Sequence, residues 1–299
     1  FGYETGGIKL HAPIDALIKN NLIHDNYRGI WLDWQSQGTR VSGNIFYNNE
    51  QEDFFNEVNH GPMIVDNNIM LSDISILNAS QGTAHVHNLI TGKIILRPVP
   101  NRFTPYHFAH STSVKGLMTI LTGDDRYFNN ILTFNHNLKP YRGPSYDKVH
   151  TGLDAYNEHP MSTDYWYKGN RPDDYANHKL PVYIASNLYY NKALPFNREK
   201  FGLESRTYSP KISIDRDGDA LFLNLEIDNS FKEMNTELIT TKVMGTAFQS
   251  EEAFENNDSS PVSIDIDING QNRSYNPTVG PFERLKKGKN RIKIFTFNH

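Results

Sequence analysis

Apolar and polar residues alternate in short runs through the first part of the chain, and one run of nine residues recurs. Each copy contains an apolar residue, two polar residues, an asparagine and an apolar pair, in that order. The clear copies are IKNNLIHDN (18–26), VSGNIFYNN (41–49) and IVDNNIMLS (64–72), and weaker copies lie at 85–92, 127–134 and 183–191. Short β-branched runs repeated in this way, with no helical periodicity, predict an all-β solenoid.

The spacing of the repeat indicates the type of solenoid. The aligned residues Asn21, Asn44 and Asn68 are 23 and 24 positions apart, which suits one coil of a parallel β-helix. A leucine-rich repeat has a similar length, but its leucine consensus is missing here. Asparagine tolerates the left-handed backbone of a sharp turn, and its amide can bond to an asparagine stacked on it. We therefore predict asparagines stacked from coil to coil.

The regular pattern breaks down after residue 95, and this divides the chain. Two long stretches rich in aromatic residues, proline and histidine, 95–126 and 135–181, are predicted insertions that form walls or lids. Residues 1–208 are assigned to β-helix coils with these insertions, and residues 209–299 to a C-terminal β-strand region that closes the same domain. Within it, KISIDRDGDALFLNLEI (211–227) alternates around Asp-Gly and predicts a β-hairpin.

Two carboxylates stand out because each lies inside a short apolar run. Asp33 interrupts IWLDW, and Glu57 interrupts FFNEV. Asp33 precedes Asn44 by 11 residues and Glu57 precedes Asn68 by 11, so the acids occupy the same position on consecutive coils. Aligning GGIKLHA with RGIWLDW places His11 beside Asp33. We therefore expect an outward column of His11, Asp33 and Glu57.

Side chains alternate between the two faces of a strand, which predicts the neighbouring columns as well. The residues expected to point into the solenoid are Ile8, Leu10, Ile30, Leu32 and Phe54. The residues expected in a second outward column are Lys9, Trp31 and Phe55. In this assignment Asn56 points inward, where its amide would need a buried partner.

The expected distance between the two acids suggests a chemistry. Neighbouring strands lie about 4.8 Å apart, so stacked carboxylates would be separated by roughly 5 Å. That distance matches a retaining glycosidase and is too short for an inverting one. Because two like charges this close do not both ionise readily, one acid should hold its proton to higher pH. Spacing alone leaves open a solvated acidic column without a catalytic role.

Composition narrows the classes of partner and cofactor. The chain of 299 residues has a net charge of −4 and no cysteine, which excludes disulfides, thiolate nucleophiles and Cys-ligated zinc. It has no basic stripe and no apolar run of membrane-spanning length, so we expect neither nucleic acid nor membrane as a partner. DIDING (265–270) and DRDGD (215–219) depart from a calcium loop and are interpreted as turns, so no metal or cofactor is expected. The basic sequence RLKKGKNRIKIF is expected to be a solvated end.

Once the column is assigned, the sequence resembles a known family. GIWLDWQSQGTRVSGNIFYNN, followed by FFNEVNHGP, is similar to glycoside hydrolase family 120, the retaining β-xylosidases built on a right-handed parallel β-helix. The match is clearest over residues 1–95, and the chain looks like the C-terminal half of longer family members. The resemblance implies a retaining exo-glycosidase, a β-xylosidase that releases xylose from xylo-oligosaccharides by double displacement.

The resemblance also implies roles for single residues. Asp33 is implied as the nucleophile and Glu57 as the acid/base, and Glu4, in GYETGG, matches a family carboxylate near the bound sugar. Trp31 is a candidate for stacking on a sugar ring or for packing under a loop. His11 is a candidate for bonding a sugar hydroxyl or for orienting Asp33.

Two further candidates lie next to the acids in the sequence. His60, in NHGP, is a candidate for sugar binding or for stabilising a turn. Trp34, which follows Asp33 directly, is expected in the core or at the rim of the site. The expected partner of all these residues is an oligosaccharide substrate.

Alternative functions and the assembly stay open at this point. A polysaccharide lyase would need a calcium-binding acidic cluster with an arginine or lysine base, and a non-catalytic carbohydrate-binding or adhesin-like β-helix would not need two acids in register. A solenoid cut between coils exposes a strand edge. We therefore expect a preceding N-terminal half or another chain to complete it, a homo-oligomer included. The compartment stays open between bacterial cytoplasm and periplasm.

Overall fold

The computed structural model describes residues 4–134, 150–163 and 171–297. Strands dominate these residues, which confirms the predicted all-β class. The helices in the described ranges are the α-helix α1 (Thr241–Met244) and the 3₁₀ helices Leu153–Tyr156, Pro172–Tyr175 and Ser230–Lys232. None of the helices in this part of the chain is long and apolar enough to cross a membrane.

The strands of the described residues are numbered in chain order. The first twelve are β1 (Ile8–His11), β2 (Leu17–Lys19), β3 (Leu22–His24), β4 (Ile30–Asp33), β5 (Arg40–Ser42), β6 (Ile45–Tyr47), β7 (Glu52–Glu57), β8 (Met63–Asp66), β9 (Ile69–Met70), β10 (Ile74–Ala79), β11 (Thr83–Val86) and β12 (Leu89–Ile90). The others are β13 (Lys93–Leu96), β14 (Val99–His107), β15 (Val114–Ile120), β16 (Arg126–Phe128), β17 (Ile131–Phe134), β18 (Tyr183–Ala185), β19 (Leu188–Asn191), β20 (Leu203–Ser205), β21 (Lys211–Asp217), β22 (Ala220–Ile227) and β23 (Gly288–Thr296).

Three parallel sheets follow from the sequence repeat. The spatial order is β1-β4-β7-β10-β13 in the first sheet, β2-β5-β8-β11-β16-β18 in the second and β3-β6-β9-β12-β17-β19-β20 in the third. From β1 to β13 the chain contributes one strand to each sheet in turn and then returns to the first, next to the strand it placed there before, and the described strands from β16 to β20 extend the second and third sheets. This arrangement is consistent with a parallel β-helix.

The predicted register of the first coils is confirmed. Strand β1 pairs with β4 so that Leu10 lies beside Leu32 and His11 beside Asp33. Strand β4 pairs with β7 so that Leu32 lies beside Asn56. Alternation places the apolar set in the interior, where Leu32 and Phe54 are fully buried. The outward side chains of the first sheet therefore stack as predicted.

The polar residue predicted to point inward has buried partners. Asn56 is 1% exposed. Its Nδ2 donates to Oγ1 of Thr83 at 3.0 Å, and its Oδ1 accepts from Nδ2 of Asn59 at 2.6 Å. Because a buried amide without partners costs about 1–3 kcal/mol, these bonds are what allows an amide in the apolar interior.

The predicted stack of asparagines runs through six coils and is called the asparagine ladder below. In each step Nδ2 donates to Oδ1 of the next amide at 2.8–3.1 Å. Its members are Asn21, Asn44, Asn68, Asn88, Asn130 and Asn187. The left-handed backbone belongs to the residue before each member, for example Asn67 and His87. The two roles expected of one asparagine are thus divided between two neighbours.

The first predicted insertion contains an antiparallel hairpin. Strands β14 and β15 pair between β13 and β16, and Met118 and Leu121 pack with Tyr175 and Leu180. Of the second predicted insertion, residues 135–149 and 164–170 lie outside the described residues. The hairpin lies over the turn that follows β4, because the guanidinium of Arg102 stacks on the ring of Trp34. It therefore flanks the end of the acid column.

The C-terminal region forms a separate antiparallel sheet on the third parallel sheet. The predicted hairpin at 211–227 is confirmed as β21 and β22. The expectation of a solvated basic end is wrong, because β23 pairs with β22 along its whole length. The alternation in RIKIF turns Ile292 and Ile294 toward the core while the basic residues stay outside. The division into 1–208 and 209–299 stays a prediction.

Candidate active site

The two predicted acids lie at the ends of neighbouring parallel strands. Strand β4 pairs with β7 up to Leu32 and Asn56, and the next position in the same register brings Asp33 beside Glu57. In the next pairing, Glu57 lies beside Ala79. The outward column therefore holds two acids, bounded by His11 on one side and by an alanine on the other.

Asp33 is almost buried and has two fixed partners. The carboxylate belongs to a residue that is 7% exposed. Its Oδ2 forms an ion pair with Nζ of Lys9 at 2.9 Å, and its Oδ1 accepts from the backbone N–H of Trp34 at 2.8 Å. These contacts compensate the charge of Asp33 and fix the orientation of its carboxylate.

Glu57 has a different environment. Its Oε2 accepts from Nε1 of Trp31 at 2.9 Å, and its Oε1 lies 3.7 Å from Nη2 of Arg97. Burial and the neighbouring charge of Asp33 raise the pKa of Glu57, and Arg97 and the indole N–H of Trp31 oppose that shift only in part. This is the direction expected of the member of a carboxyl pair that holds its proton.

The column also explains how Arg97 reaches Glu57 across an intervening strand. Strand β10 pairs with β13 so that Asn78 lies beside Leu96, and the backbone N–H of Arg97 donates to the carbonyl of Asn78. Arg97 therefore follows Ala79 in the column. Because the alanine side chain is small, the long arginine side chain passes over it toward the carboxylate.

Trp31 is buried next to Glu57 rather than lying at an open surface. The residue is 6% exposed, its ring stacks on Phe55 with centroids 5.2 Å apart, and Nζ of Lys9 lies 3.8 Å from its centroid. Arg28 is also close, 4.9 Å from the same ring. The structure thus places Trp31 in the packing alternative, and the expectation that it stacks on a sugar ring is corrected.

The remaining candidates near the acids are more accessible. Glu4 is exposed and contacts the ammonium of Lys9, which joins it to Asp33. His11 is exposed and lies beside Asp33 in the register. Trp34 is partly buried under Arg102, with the guanidinium 4.0 Å from its ring centroid.

His60 lies in the interior, so its predicted sugar contact is corrected. The residue is 2% exposed, its Nε2 lies 2.9 Å from Oγ1 of Thr104, and its Nδ1 lies 3.1 Å from Nε2 of Gln81. Burial lowers the pKa of His60 to about 4. The neutral ring ties the turn after β7 to the hairpin strand β14, which is the turn-stabilising alternative.

Sequence reasoning missed the cations of the site. The sequence places Lys9 in the second outward column, beside Trp31, but gives it no role. The ion pair of Lys9 with Asp33 appears only in the structure. The position of Arg97 in the column follows from the register of β13. That register can be assigned only when the length of the turn before β13 is known. Arg102 comes from the inserted hairpin, whose docking on Trp34 no local pattern predicts.

A group that could hold a metal lies elsewhere among the described residues. One ligand atom each of Asp15, His110 and Glu252 lies within 4.8 Å of the others. In this structure Nδ1 of His110 bonds to Asp15 at 3.0 Å and Nε2 bonds to Glu255 at 3.2 Å. The imidazole is thus already shared between carboxylates, and the predicted absence of a metal stays a prediction.

Comparisons with known proteins give one informative match. No family model and no curated protein matches the sequence. Among solved structures, the chain is similar to XylC, determined in complex with xylose, with a TM-score of 0.89 and 38% sequence identity. The match covers 99% of this chain and 45% of XylC. The chain therefore spans less than half the length of that protein.

Proposed function

This chain is a relative of the xylosidases of glycoside hydrolase family 120, and on that premise we propose that it carries the catalytic pair of a retaining β-xylosidase. The relationship supports a xylosidase-type glycoside hydrolase. The retaining mechanism and the release of xylose from xylo-oligosaccharides are the finer parts of the proposal. They rest on the column of Asp33 and Glu57.

The observation that carries the proposal is the adjacency of two unlike carboxyl groups. Asp33 and Glu57 lie on neighbouring strands in one register, and neighbouring strands are about 4.8 Å apart. Retaining glycosidases hold their two carboxyl groups about 5–5.5 Å apart, whereas inverting enzymes need room for a water between them. The spacing therefore supports double displacement.

The surroundings of the two acids support distinct roles. Lys9 and the backbone N–H of Trp34 bond to Asp33, which suits a carboxylate that attacks as an anion. Burial and the charge of Asp33 raise the pKa of Glu57, which suits a group that is protonated when the substrate binds. Asp33 is thus the proposed nucleophile, and Glu57 the proposed acid/base.

The proposed reaction has two steps with balanced proton transfer. In the first, a carboxylate oxygen of Asp33 bonds to the anomeric carbon, while Glu57 gives its proton to the departing glycosidic oxygen. In the second, Glu57 removes a proton from water, and the resulting hydroxide displaces Asp33 from the same carbon. Two inversions give net retention of configuration.

The exposed candidates on the same face are proposed to contact the sugar. Glu4 and His11 lie on the accessible side of Asp33. Trp34 lies under the hairpin at the rim. Hydroxyl groups of a bound pyranose would bond to the carboxylate and imidazole, and the rim would limit how far an oligosaccharide extends past Glu57.

The frame of the site is proposed to be a right-handed parallel β-helix. The three parallel sheets support it. Strands β1, β2 and β3 each pair on one side only within the described residues, so we propose that further coils or a second chain cover their other side. Residues 209–299 are proposed to belong to the same domain, because their sheet packs on the third parallel sheet.

Hydrolysis of 4-nitrophenyl β-D-xyloside by the complete protein that contains this chain tests the proposal. Wild type is compared with Asp33→Ala and Glu57→Ala, with and without azide. We expect kcat of both variants to fall by about 10²- to 10⁴-fold, since each variant lacks one catalytic group. Azide needs no proton removed, so it should restore turnover of Glu57→Ala and yield the β-glycosyl azide.

Other results would contradict the assignment. Rescue of Asp33→Ala with a β-glycosyl azide as the product would exchange the two roles, whereas an α-glycosyl azide from Asp33→Ala, formed by a single inversion, would agree with Asp33 as the nucleophile. A wild type that binds xylo-oligosaccharides but hydrolyses no glycoside would favour a carbohydrate-binding β-helix. Inverted product configuration by NMR would remove the retaining mechanism.

A further inference from the structure

The indole of Trp31 bonds directly to Glu57 and is linked to Asp33 through Lys9, and this gives it a task in the proposed reaction. On one side, Nζ of Lys9 lies 3.8 Å from the ring centroid and also pairs with Asp33 at 2.9 Å. At the edge, Nε1 donates to Oε2 of Glu57 at 2.9 Å. Phe55 stacks on the ring from the next strand. The ring is therefore fixed by packing while its N–H points at one carboxyl oxygen.

An indole N–H can only donate a hydrogen bond. The oxygen that accepts it gains most when it carries negative charge, because charge-assisted bonds are the stronger ones. A proton on that same oxygen would weaken the bond. Oε2 of Glu57 is thus the less favourable of its two oxygens for protonation.

The other oxygen has a different environment. Oε1 of Glu57 lies 3.7 Å from Nη2 of Arg97, beyond hydrogen-bond distance, so the arginine acts on it through charge alone. Within the described residues, Oε1 receives no hydrogen bond. Its lone pairs are available to carry a proton and to meet a substrate oxygen or a water.

We propose that Trp31 is a positioning residue that makes Glu57 a one-sided acid/base: its N–H occupies Oε2, so that the proton which Glu57 gives and takes is carried by Oε1. The proposal rests on the proposed function and deepens it, because it assigns the proton to one atom. It also replaces the sugar-stacking role expected of Trp31 from the sequence.

The same geometry couples the two acids. The ammonium of Lys9 lies over the face of the indole, and a cation over that face polarises the ring and strengthens donation by its N–H. Lys9 therefore acts on Glu57 through Trp31, as well as on Asp33 directly. The charge of the nucleophile and the orientation of the acid depend on one packed unit.

The test measures the indole signal and the pH profile in the complete protein. With ¹⁵N-labelled tryptophan, the Trp31 N–H resonance is identified by its loss in Trp31→Phe, and is then followed from pH 4 to 9. We expect it to shift as Glu57 ionises in the wild type and to stay constant in Glu57→Gln. A Trp31 resonance that does not respond to Glu57 overturns the proposal.

Activity provides a second readout. Trp31→Phe keeps an aromatic ring on Phe55 but has no N–H, so kcat should fall about 10- to 100-fold, as expected for one bond to a charged group. The basic limb of its pH–rate profile should move to higher pH. The control Phe55→Leu removes the packing partner and keeps the N–H, so its basic limb should stay in place even if its thermal stability falls.

The outcomes separate this inference from the proposed function. If Trp31→Phe and Phe55→Leu lose activity in proportion to their stability, with unchanged pH profiles, Trp31 is only a packing residue. If the wild type hydrolyses no glycoside, the proposed function fails. The indole titration in wild type and Glu57→Gln still decides whether Trp31 holds Oε2, and it does not require Trp31→Phe to be active.

Discussion

The repeat builds two stacks of polar side chains, and they differ in how they treat the repeat. The asparagine ladder keeps one residue type through six coils, and members such as Asn44 and Asn68 are completely buried. The acid column changes at every coil. Its successive members are His11, Asp33, Glu57, Ala79 and Arg97.

This difference separates structure from chemistry. In the ladder, every amide meets an identical amide, so each donor has an acceptor and no charge is introduced. In the column, two neighbouring side chains of the same kind would be two acids of like charge. That pairing occurs once in the column, between Asp33 and Glu57. Burial, and after it the charge of Asp33, raises the pKa of Glu57. A polar stack that keeps its repeat stabilises the fold, and the place where a stack departs from its repeat is where reactivity is expected.

The largest expected effect is a loss of activity in a variant of the acid column whose stability stays close to that of wild type. Asp33→Asn keeps the shape of the side chain and removes the charge, so kcat/KM on a nitrophenyl xyloside should fall at least about 10³-fold. The free energy of unfolding in urea should stay within about 1 kcal/mol of wild type, because the repulsion with Glu57 disappears together with the ion pair to Lys9, and the partly exposed ammonium of Lys9 keeps its contact with Glu4. A fully active Asp33→Asn would remove the column from the chemistry.

The opposite result is expected in the ladder. Asn68→Ala removes the acceptor of two bonds from Asn44 and the donor to Asn88, at distances of 2.9–3.1 Å. Buried groups are left unpaired, so the free energy of unfolding should fall by about 2–4 kcal/mol. Folded Asn68→Ala should keep its activity. The control Asn269→Ala, at an exposed turn position outside the ladder, should cost less than about 1 kcal/mol.

Much of this comparison could be predicted from the sequence, because both stacks arise from one periodicity. The alignment on Asn44 and Asn68 was enough to place Asp33 beside Glu57, and the alignment of GGIKLHA with RGIWLDW paired His11 with Asp33. Parallel strands of equal coil length transmit such an alignment without any knowledge of tertiary contacts. The inward position of Asn56 followed as well, although its partner Thr83 did not.

The errors arose where the chain departs from the repeat or where burial depends on an insertion. His60 was considered for sugar binding because its cover, the strand containing Thr104, is inserted later in the sequence. Trp31 was expected to be available to a ligand because the alignment gave only the order of Lys9, Trp31 and Phe55. It did not show that the side chains of Lys9 and Phe55 contact the indole ring. The basic end was not predicted to be a strand, because the strand that pairs with it, β22, lies far away in the sequence.

A smaller effect concerns the end of the ladder, where the repeat stops at an acid. Oε1 of Glu199 accepts from the backbone N–H and from Nδ2 of Asn187, each at 2.8 Å, and the hydroxyl of Tyr189 bonds to Oε2. Burial raises the pKa of Glu199 to about 7. The folded state therefore holds this proton more tightly than the unfolded chain, in which the ordinary pKa is 4.5.

The sign of the pH dependence follows from that shift. The stabilisation from proton binding is complete below pH 4.5 and is lost as the pH rises through about 7. In wild type the loss should be on the order of 2 kcal/mol over this interval. Glu199→Gln, measured by urea unfolding at several pH values, should flatten that part of the curve. Identical curves would mean that the ladder ends without a titrating group.

The smallest expected effect lies outside both stacks, where His110 joins the inserted hairpin to two distant carboxylates. Both ring nitrogens face an acid, Asp15 at 3.0 Å and Glu255 at 3.2 Å, so both bonds require the imidazolium. Burial acts to lower the pKa of His110, but the bonds to Glu255 and Asp15 outweigh it and raise the pKa.

Because the pKa of His110 is raised, its contribution to stability is complete below the ordinary value of 6.5 and is lost as the pH rises through the raised pKa. His110→Gln should therefore lower the free energy of unfolding at pH 5.5 by about 1 kcal/mol or less and leave it nearly unchanged at pH 9. His24→Gln is the control, since His24 bonds to one exposed acid, Asp25, next to it in the chain. If both variants lower the free energy of unfolding equally, an ion pair between distant segments contributes no more than a local one. The contrast between repeated stacks and isolated contacts would then hold only for buried groups.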